Sequence, residues 1–251
     1  MPFITEWLKI VKIPAPVNSE AQKLDSQAID STKLKDNIRK ELAEAYLDPW
    51  QFEDLFKAAG LEGVFDHLRS KHFPADEKTR KGTFGEILAL VWIRDALGYE
   101  VPLVKRRWAM NKERSQHGED VIGFLFDDKG VDKLLLIEAK FYLSQVSSAI
   151  KKAHDTITKC ITATECYSLH AIMSYFQAAG DRHRYDRVKK MFDNFSGAHF
   201  LKNGGIFLVT SSKTWKDSYF ETNISSNKVH DLKCWALVCK DIEELYKEAH
   251  K

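Results

Sequence analysis

The chain has 251 residues, of which 44% are hydrophobic and 12% aromatic, and it carries 38 basic and 36 acidic side chains. This composition excludes a disordered or collagen-like chain, and the length is sufficient for one substantial apolar core. No run approaches the ~18 apolar residues of a membrane helix. The N-terminal segment also lacks a signal-peptide cleavage site, so we expect a cytoplasmic protein.

The net charge of +2 conceals an uneven distribution. Residues 1–70 hold 9 basic and 12 acidic side chains, a net charge of −3, so residues 71–251 carry +5. Basic residues cluster in 101–116 and 181–190, and the candidates for DNA contact are Lys105, Arg106, Arg107, Arg182 and Arg184. Such clusters can follow a nucleic-acid backbone, but a solvated surface without a ligand gives the same pattern.

The first part of the chain is predicted to be mostly helical. Phe3–Ile13 has the pattern of an edge strand, and 18–31 is polar and loop-like. Two amphipathic helices are expected over 33–46 and 49–59. The charged connector 70–81 contains a proline and predicts a domain boundary. We therefore expect a mostly helical N-terminal lobe over 1–77 and a second domain over 78–251.

The second part alternates helices with strands. The pattern predicts, in order, a helix over 83–97, strands over 99–108, 120–126 and 133–141, helices over 146–161, 164–177 and 182–194, strands over 205–210 and 232–239, and a helix over 241–249. This order indicates an α/β fold with a mixed central sheet flanked by helices.

Two charged residues end the most apolar strand candidate, which reads LLLIEAKFY over 134–142. Alternation along a strand places Glu138 and Lys140 on the same face, at the end of a run that predicts a central strand buried on both faces. Charges in such a position need a partner, a solvated cleft or a bound ion. The alternative is an ordinary Glu–Lys ion pair on a strand that reaches solvent.

Two acidic residues precede this strand. Asp120 opens the neighbouring strand candidate, which would bring its carboxylate close to Glu138, although aspartate is also common in turns. Glu86 lies on the core-facing side of helix 83–97, where a carboxylate is costly without a cation. Thr83 and Glu86 also have the spacing of a capping box, in which Glu86 would only bond back to the start of the helix.

Together these segments resemble the PD-(D/E)xK nucleases and, more closely, the HamA family. The order of helix glutamate, strand aspartate and strand Glu-x-Lys is that of the PD-(D/E)xK fold, although His117-Gly118-Glu119 stands before Asp120 in place of the proline of the name. The segments GEIL at 85–88, HGEDVIGF at 117–124 and EAKFY at 138–142 look like those of HamA, the effector of the Hachiman antiphage defence system.

The resemblance implies a restriction-endonuclease-like PD-(D/E)xK core that works beside a helicase partner, HamB. It matches Glu138 and Lys140 to the catalytic Glu-x-Lys, Asp120 to the acidic metal ligand and Glu86 to the helix carboxylate. The expected metal ligands are Asp120 and Glu138, with Glu86 acting through water and the backbone carbonyl of Ala139 as a further oxygen. Oxygen ligands of this kind suit a hard cation such as Mg2+ or Mn2+. Lys140 would orient or help to deprotonate the attacking water, and burial would shift its pKa towards neutrality.

The function expected from these patterns is metal-dependent hydrolysis of DNA phosphodiester bonds. Two alternatives stay open: a catalytically silent nucleic-acid-binding or adaptor subunit on the same fold, and a nuclease that acts on RNA, since no motif here distinguishes the two nucleic acids. The four cysteines match no common zinc-site spacing, and we expect them to be free thiols.

Overall fold

The computed structural model describes residues 3–27, 31–102, 119–128, 131–197, 200–224 and 227–251. Within these ranges the helices are α1 (Phe3–Trp7), α2 (Ser31–Tyr46), α3 (Pro49–Lys71), α4 (Glu77–Val91), α5 (Val146–Thr162), α6 (Tyr167–Ala178), α7 (Arg182–Asp193), α8 (Tyr219–Asn223) and α9 (Ile242–Ala249). A π-helical segment (Trp92–Ala96) continues α4. The strands in the same ranges are β1 (Leu8–Lys12), β2 (Ser19–Ser26), β3 (Val121–Leu125), β4 (Lys133–Phe141), β5 (Leu201–Ser211) and β6 (Leu232–Cys239).

Within the described residues, six strands form one mixed sheet in the order β1-β2-β6-β5-β4-β3. The four inner strands run parallel, and β1 and β3 pair antiparallel at the two edges. Parallel neighbours need long crossover connections, which here contain helices. The mixed α/β class predicted from the sequence is confirmed, with helices on both faces of the sheet.

An apolar core covers each face of the sheet. On one face, α4 packs against β4, and residues of α2, α3 and α9 belong to the same apolar core as Leu135 and Ile137. On the other face, α5 packs against β4, and residues of α6 and α7 belong to the same apolar core as Leu134 and Leu136. The strand that ends in Glu138 and Lys140 is therefore buried on both faces, as its continuous apolar run predicts.

The N-terminal part contributes two strands to this sheet. The predicted edge strand is confirmed only for Leu8–Lys12, because Phe3–Trp7 is helical. The loop predicted over 18–31 is wrong, since Ser19–Ser26 forms β2 and pairs with both β1 and β6. Pairing on two sides outweighs the weak strand propensity of this polar segment. Residues on both sides of position 77 share one apolar core, and the division into two domains stays a prediction.

Helix α3 is longer than the sequence indicated, and α4 begins six residues earlier than predicted. α3 continues to Lys71 through a kink at Gly60, whose φ of 64° suits glycine. α4 begins at Glu77, where the side chain of Asp76 accepts a hydrogen bond from the amide of Thr79 at 2.8 Å and caps the helix. The predicted connector over 70–81 is thus largely helical.

The strands predicted over 133–141 and 232–239 are confirmed with the same bounds. Of the strand predicted over 99–108, the described part contains one bridge, between Glu100 and Phe124, and residues 103–108 lie outside the described residues. The four cysteines are free thiols, as predicted. In the part of the chain that the structure describes, no helix is long and apolar enough to cross a membrane.

Candidate active site

The end of β4 brings one ammonium group and three oxygen-bearing groups together. Lys140 Nζ donates hydrogen bonds to the carboxylate of Glu138 and, at 3.2 Å, to the carbonyl oxygen of Ala139. Asp120 Oδ2 lies 3.8 Å from the same nitrogen. The structure therefore brings together three of the four residues that the sequence analysis proposed as catalytic.

Asp120 is fixed on β4 immediately before β3 begins. Its amide donates a hydrogen bond to the carbonyl oxygen of Ile137 at 3.0 Å, and its Oδ2 accepts one from the amide of Ala139 at 2.8 Å. The carboxylate of Asp120, one residue before β3 begins, thus bonds to a main-chain amide of β4. The position of this carboxylate is consequently set by main-chain atoms of the strand that carries Glu138 and Lys140.

Glu138 is a buried carboxylate, with only 8% of its side chain exposed. It follows Leu134 and Leu136 on the face of β4 that packs against α5, as the alternation of a strand requires. An ionised carboxylate in such a position is strongly unfavourable unless a charged or polar group compensates it. The ammonium of Lys140 supplies that compensation.

Lys140 keeps its proton at neutral pH in the protein without a bound metal ion. Burial lowers the pKa of its ammonium, but the carboxylates of Asp120 and Glu138 outweigh burial and raise the pKa above its ordinary value. The shift towards neutrality expected from burial alone is wrong for this arrangement. A protonated Lys140 can stabilise negative charge and orient a water molecule, but it cannot accept a proton.

Glu86 approaches the site from α4, on the opposite face of the sheet. α4 packs closely on β4 at Gly85, where an added Cβ would lie 3.4 Å from the Cβ of Phe141 and 3.6 Å from the carbonyl carbon of Lys140. This close approach places the half-buried Glu86 at the rim of a cavity of about 790 Å³, which Asp120 and Lys140 also line.

The capping-box interpretation of Thr83 and Glu86 is wrong. α4 begins six residues before Thr83, whose hydroxyl donates a hydrogen bond to the carbonyl oxygen of Thr79 at 3.0 Å inside the helix. Asp76 performs the capping instead. Glu86 is therefore an interior residue of α4, and capping of the helix start does not account for a carboxylate at this position.

The oxygen donors at the end of β4 suit a hard divalent cation. The carboxylates of Asp120 and Glu138 and the carbonyl of Ala139 surround a single positive charge, and Mg2+ and Mn2+ prefer such ligands. Within the described residues, no three His, Cys, Asp or Glu side chains form a group that could hold a metal ion. The end of β4 thus offers two carboxylates and one carbonyl as oxygen donors, and Glu86 lines the same cavity as Asp120.

One buried carboxylate beside the site was missed by the sequence analysis. Glu119 is 6% exposed and accepts a hydrogen bond from Ser168 Oγ at 2.8 Å, while Cys166 Sγ lies 3.7 Å from its other oxygen. The one signal in the sequence is that Glu119 directly precedes Asp120 at the start of an apolar strand.

Two of the basic residues proposed for DNA contact, Arg182 and Arg184, lie among the described residues. On α7, Arg182 pairs with Asp186 at 3.1 Å, and Arg184 Nε lies 2.9 Å from a carboxylate oxygen of Glu100. These two arginines therefore already have acidic partners within the chain, and their contact with DNA stays a prediction. The other three candidates, Lys105, Arg106 and Arg107, lie outside the described residues.

Comparison with known proteins identifies a protein family and a curated relative. A family model described as HamA matches residues 1–251. The Hachiman protein HamA of Bacillus cereus is 29% identical over 98 residues, which cover 39% of this chain and 34% of that relative. The aligned part thus spans about a third of the length of the curated relative. Because the family model covers the entire chain, the protein belongs to the HamA family.

Proposed function

We propose that this protein is a metal-dependent nuclease that hydrolyses phosphodiester bonds of DNA on a PD-(D/E)xK-type fold. The observation that carries the proposal is the convergence of Asp120, Glu138 and Lys140 beside a cavity of about 790 Å³. The charged residues also occur in the order of that fold: a glutamate in α4, an aspartate directly before β3, and Glu-x-Lys in β4. An adaptor subunit would have no evident need to bury this set of charges.

Phosphodiester hydrolysis requires a nucleophilic hydroxide and stabilisation of the extra negative charge on the phosphate. Asp120, Glu138 and the carbonyl of Ala139 would hold Mg2+ or Mn2+, with Glu86 acting through a water molecule. When bound, such an ion supplies the Lewis acidity that makes hydroxide available at neutral pH. The protein itself supplies the fixed positions of these oxygen atoms, which the hydrogen bonds of Asp120 to β4 maintain.

Lys140 would act as a fixed positive charge beside the reacting phosphate. In the protein without a bound metal ion, Asp120 and Glu138 raise the pKa of this ammonium, and it donates hydrogen bonds to Glu138 and to the carbonyl of Ala139. A preorganised charge in a partly buried site stabilises a transition state more strongly than the same charge in water, because the surrounding dielectric constant is lower. Orientation of the attacking water is the second role that its three donors permit.

We infer further that this activity serves antiphage defence in the cytoplasm and is controlled by a helicase partner, HamB. Membership of the HamA family and the Hachiman name of the Bacillus cereus relative support the inference. An uncontrolled nuclease would attack the DNA of its own cell, so activity must be held off until infection. Residues 1–70, which carry a net charge of −3, offer a docking surface for the helicase on α3, where Trp50 is 63% and Phe56 47% exposed.

The direct test is to incubate the purified chain, alone and with the helicase, with plasmid DNA, linear DNA and RNA. We expect cleavage of DNA with Mg2+ or Mn2+, little cleavage with Ca2+ because its looser geometry positions water poorly, and none with EDTA. Cleavage restricted to RNA would identify the other nuclease class, and binding without cleavage under every condition would identify a silent subunit. Full activity in EDTA would contradict the metal-dependent mechanism.

A further inference from the structure

We propose that Glu119 is a positioning residue that holds Asp120 in the orientation in which it meets Glu138 and Lys140. The inference rests on the proposed metal-dependent nuclease function and adds a residue to that site. Glu119 lies one position before Asp120 and touches none of the three residues through its carboxylate in the described structure. Its role is therefore argued from the elements to which it is bonded.

Glu119 lies in an environment that is unfavourable for a carboxylate. Among the described residues, Glu119 and Glu138 are the acidic side chains in the buried class. Glu138 is compensated by Lys140, whereas Glu119 has no cationic partner within the described part of the chain and is bonded only by neutral donors. A buried charge compensated in this way lowers stability relative to an apolar side chain of the same size. The described contacts of Glu119 thus give no reason in stability for a glutamate at this position.

The donors to Glu119 belong to the first turn of α6. Ser168 Oγ donates to Oε2 at 2.8 Å, and Cys166 Sγ lies 3.7 Å from Oε1. Burial, together with the negative charge of Glu119, raises the pKa of Cys166 to about 12, so the thiol keeps its proton and can donate. The positive end of the helix dipole favours an anion at this point. α6 is itself anchored in the second apolar core through Leu169 and Ile172.

Two consecutive carboxylates therefore bond to two different elements. Glu119 bonds to α6, and Asp120 bonds to the amide of Ala139 in β4. Their Cα atoms are separated by one peptide unit of about 3.8 Å, so a displacement of Glu119 shifts Asp120 directly. Groups that orient a metal ligand typically contribute about 10- to 100-fold to metal affinity or activity. Glu119 would act on Asp120 through the peptide unit that joins them and not through a direct hydrogen bond, and we expect an effect of the same order.

The decisive variant is Glu119→Ala, measured for binding of Mn2+ by electron paramagnetic resonance in the absence of DNA, for melting temperature, and for DNA cleavage. We expect Mn2+ affinity and kcat to fall about 10- to 100-fold, with KM for DNA unchanged. The melting temperature should change little, because removal of a buried carboxylate that has no cationic partner among the described residues offsets the loss of its contacts with Ser168 and Cys166. A residue that only stabilises the fold would instead lower the melting temperature and leave the Mn2+ affinity of the folded fraction intact.

Two companion variants sharpen the test. Glu119→Gln keeps an oxygen that can accept from Ser168 and should retain most of the Mn2+ affinity, whereas Ser168→Ala should reduce it. The matched control is Ser174→Ala on the same helix, since Ser174 is exposed and its hydroxyl bonds only to the main-chain oxygen of His170 at 3.1 Å. If Glu119→Ala fails to fold, Ser168→Ala carries the test by the same criteria.

The outcomes separate this inference from the proposed function. A folded Glu119→Ala chain that binds Mn2+ and cleaves DNA like the unmodified chain overturns the positioning role and leaves the nuclease proposal standing. A folded unmodified chain that neither binds Mn2+ nor cleaves nucleic acid, with or without the helicase, overturns the proposed function and the positioning role together. The positioning role of Glu119 is supported if Glu119→Ala and Ser168→Ala lose Mn2+ affinity and Ser174→Ala does not.

Discussion

The ion pair between Glu138 and Lys140 offers the most direct test of an active site at the end of β4. Replacement of both residues by alanine removes one proposed metal ligand and the fixed positive charge. Loss of a single preorganised electrostatic group commonly reduces the rate by about 100- to 1000-fold. We therefore expect DNA cleavage by the double variant to fall by several orders of magnitude.

The effect on stability should distinguish the double variant from the single one. The side chains of Glu138 and Lys140 are 8% and 24% exposed. Lys140→Ala alone leaves two carboxylates without their ammonium and should cost about 3 kcal/mol, the low end for a buried pair because Lys140 reaches the cavity. For a chain of this size, that is a fall of roughly 9 °C in melting temperature. The double variant removes both members of the pair, so its melting temperature should fall by only about 3 °C.

Melting temperature, DNA cleavage and protection of cells against phage should be measured on the same variants. The matched control is the double replacement of Lys247 and Glu243, an exposed pair at 3.0 Å on α9, which should alter none of the three. A purely structural ion pair would give the same small change in stability without loss of cleavage. A folded Glu138→Ala/Lys140→Ala chain that still cuts DNA and still protects cells would refute the active-site assignment.

Three further predictions concern the surface and the acid stability of the protein. Neutralising Arg106 and Arg107 should weaken DNA binding for all sequences and lower the log–log slope of affinity against salt concentration by up to about two units. The same change at Arg182 and Arg184, which have acidic partners, should reduce DNA affinity less. An unchanged slope would assign these charges to a solvated surface. Replacing Trp50 and Phe56 by alanine should abolish co-purification with the helicase, whereas replacing Leu201, an exposed residue on β5, should not. Deletion of residues 1–77 is unsuitable as a test because it removes two strands of the sheet. Burial raises the pKa of Asp132, but the hydrogen bonds from Arg187 outweigh burial and hold the pKa below its ordinary value. The contribution of Asp132 to stability is therefore present above about pH 4 and is lost as the pH falls through the folded-state pKa. Asp132→Asn should make the melting temperature less sensitive to acid, and an unchanged pH profile would contradict this.

The elements that the sequence predicted well are those whose own residues determine them. β4 and β6 are continuous apolar runs, and both formed with the predicted bounds. β2 was missed because only Ala21 and Leu24 of its eight residues are buried, and its strand conformation depends on partners far away in the chain. Propensity is local, whereas the pairing of a polar strand is a tertiary effect.

The same distinction applies to the candidate site. Glu138 and Lys140 were predicted to share a face because side chains alternate along a strand, and Asp120 was expected nearby because β3 and β4 are neighbours. The burial of Glu119 was not predictable, since its partner Ser168 lies 49 residues away. The pKa direction of Lys140 also escaped the sequence, because it depends on the distances to two carboxylates and not on burial alone.

The position of β6 between β2 and β5 has a consequence for synthesis of the protein. Ala21 pairs with Cys234, so at roughly 5–20 residues per second the partner of β2 emerges from the ribosome about 10 to 40 s after it. Until then, the nascent chain exposes unpaired edges on both β2 and β5, which invite association with other chains or with chaperones. Completion of the sheet that supports the proposed DNA-cutting site is thus delayed until residues 232–239 have been made.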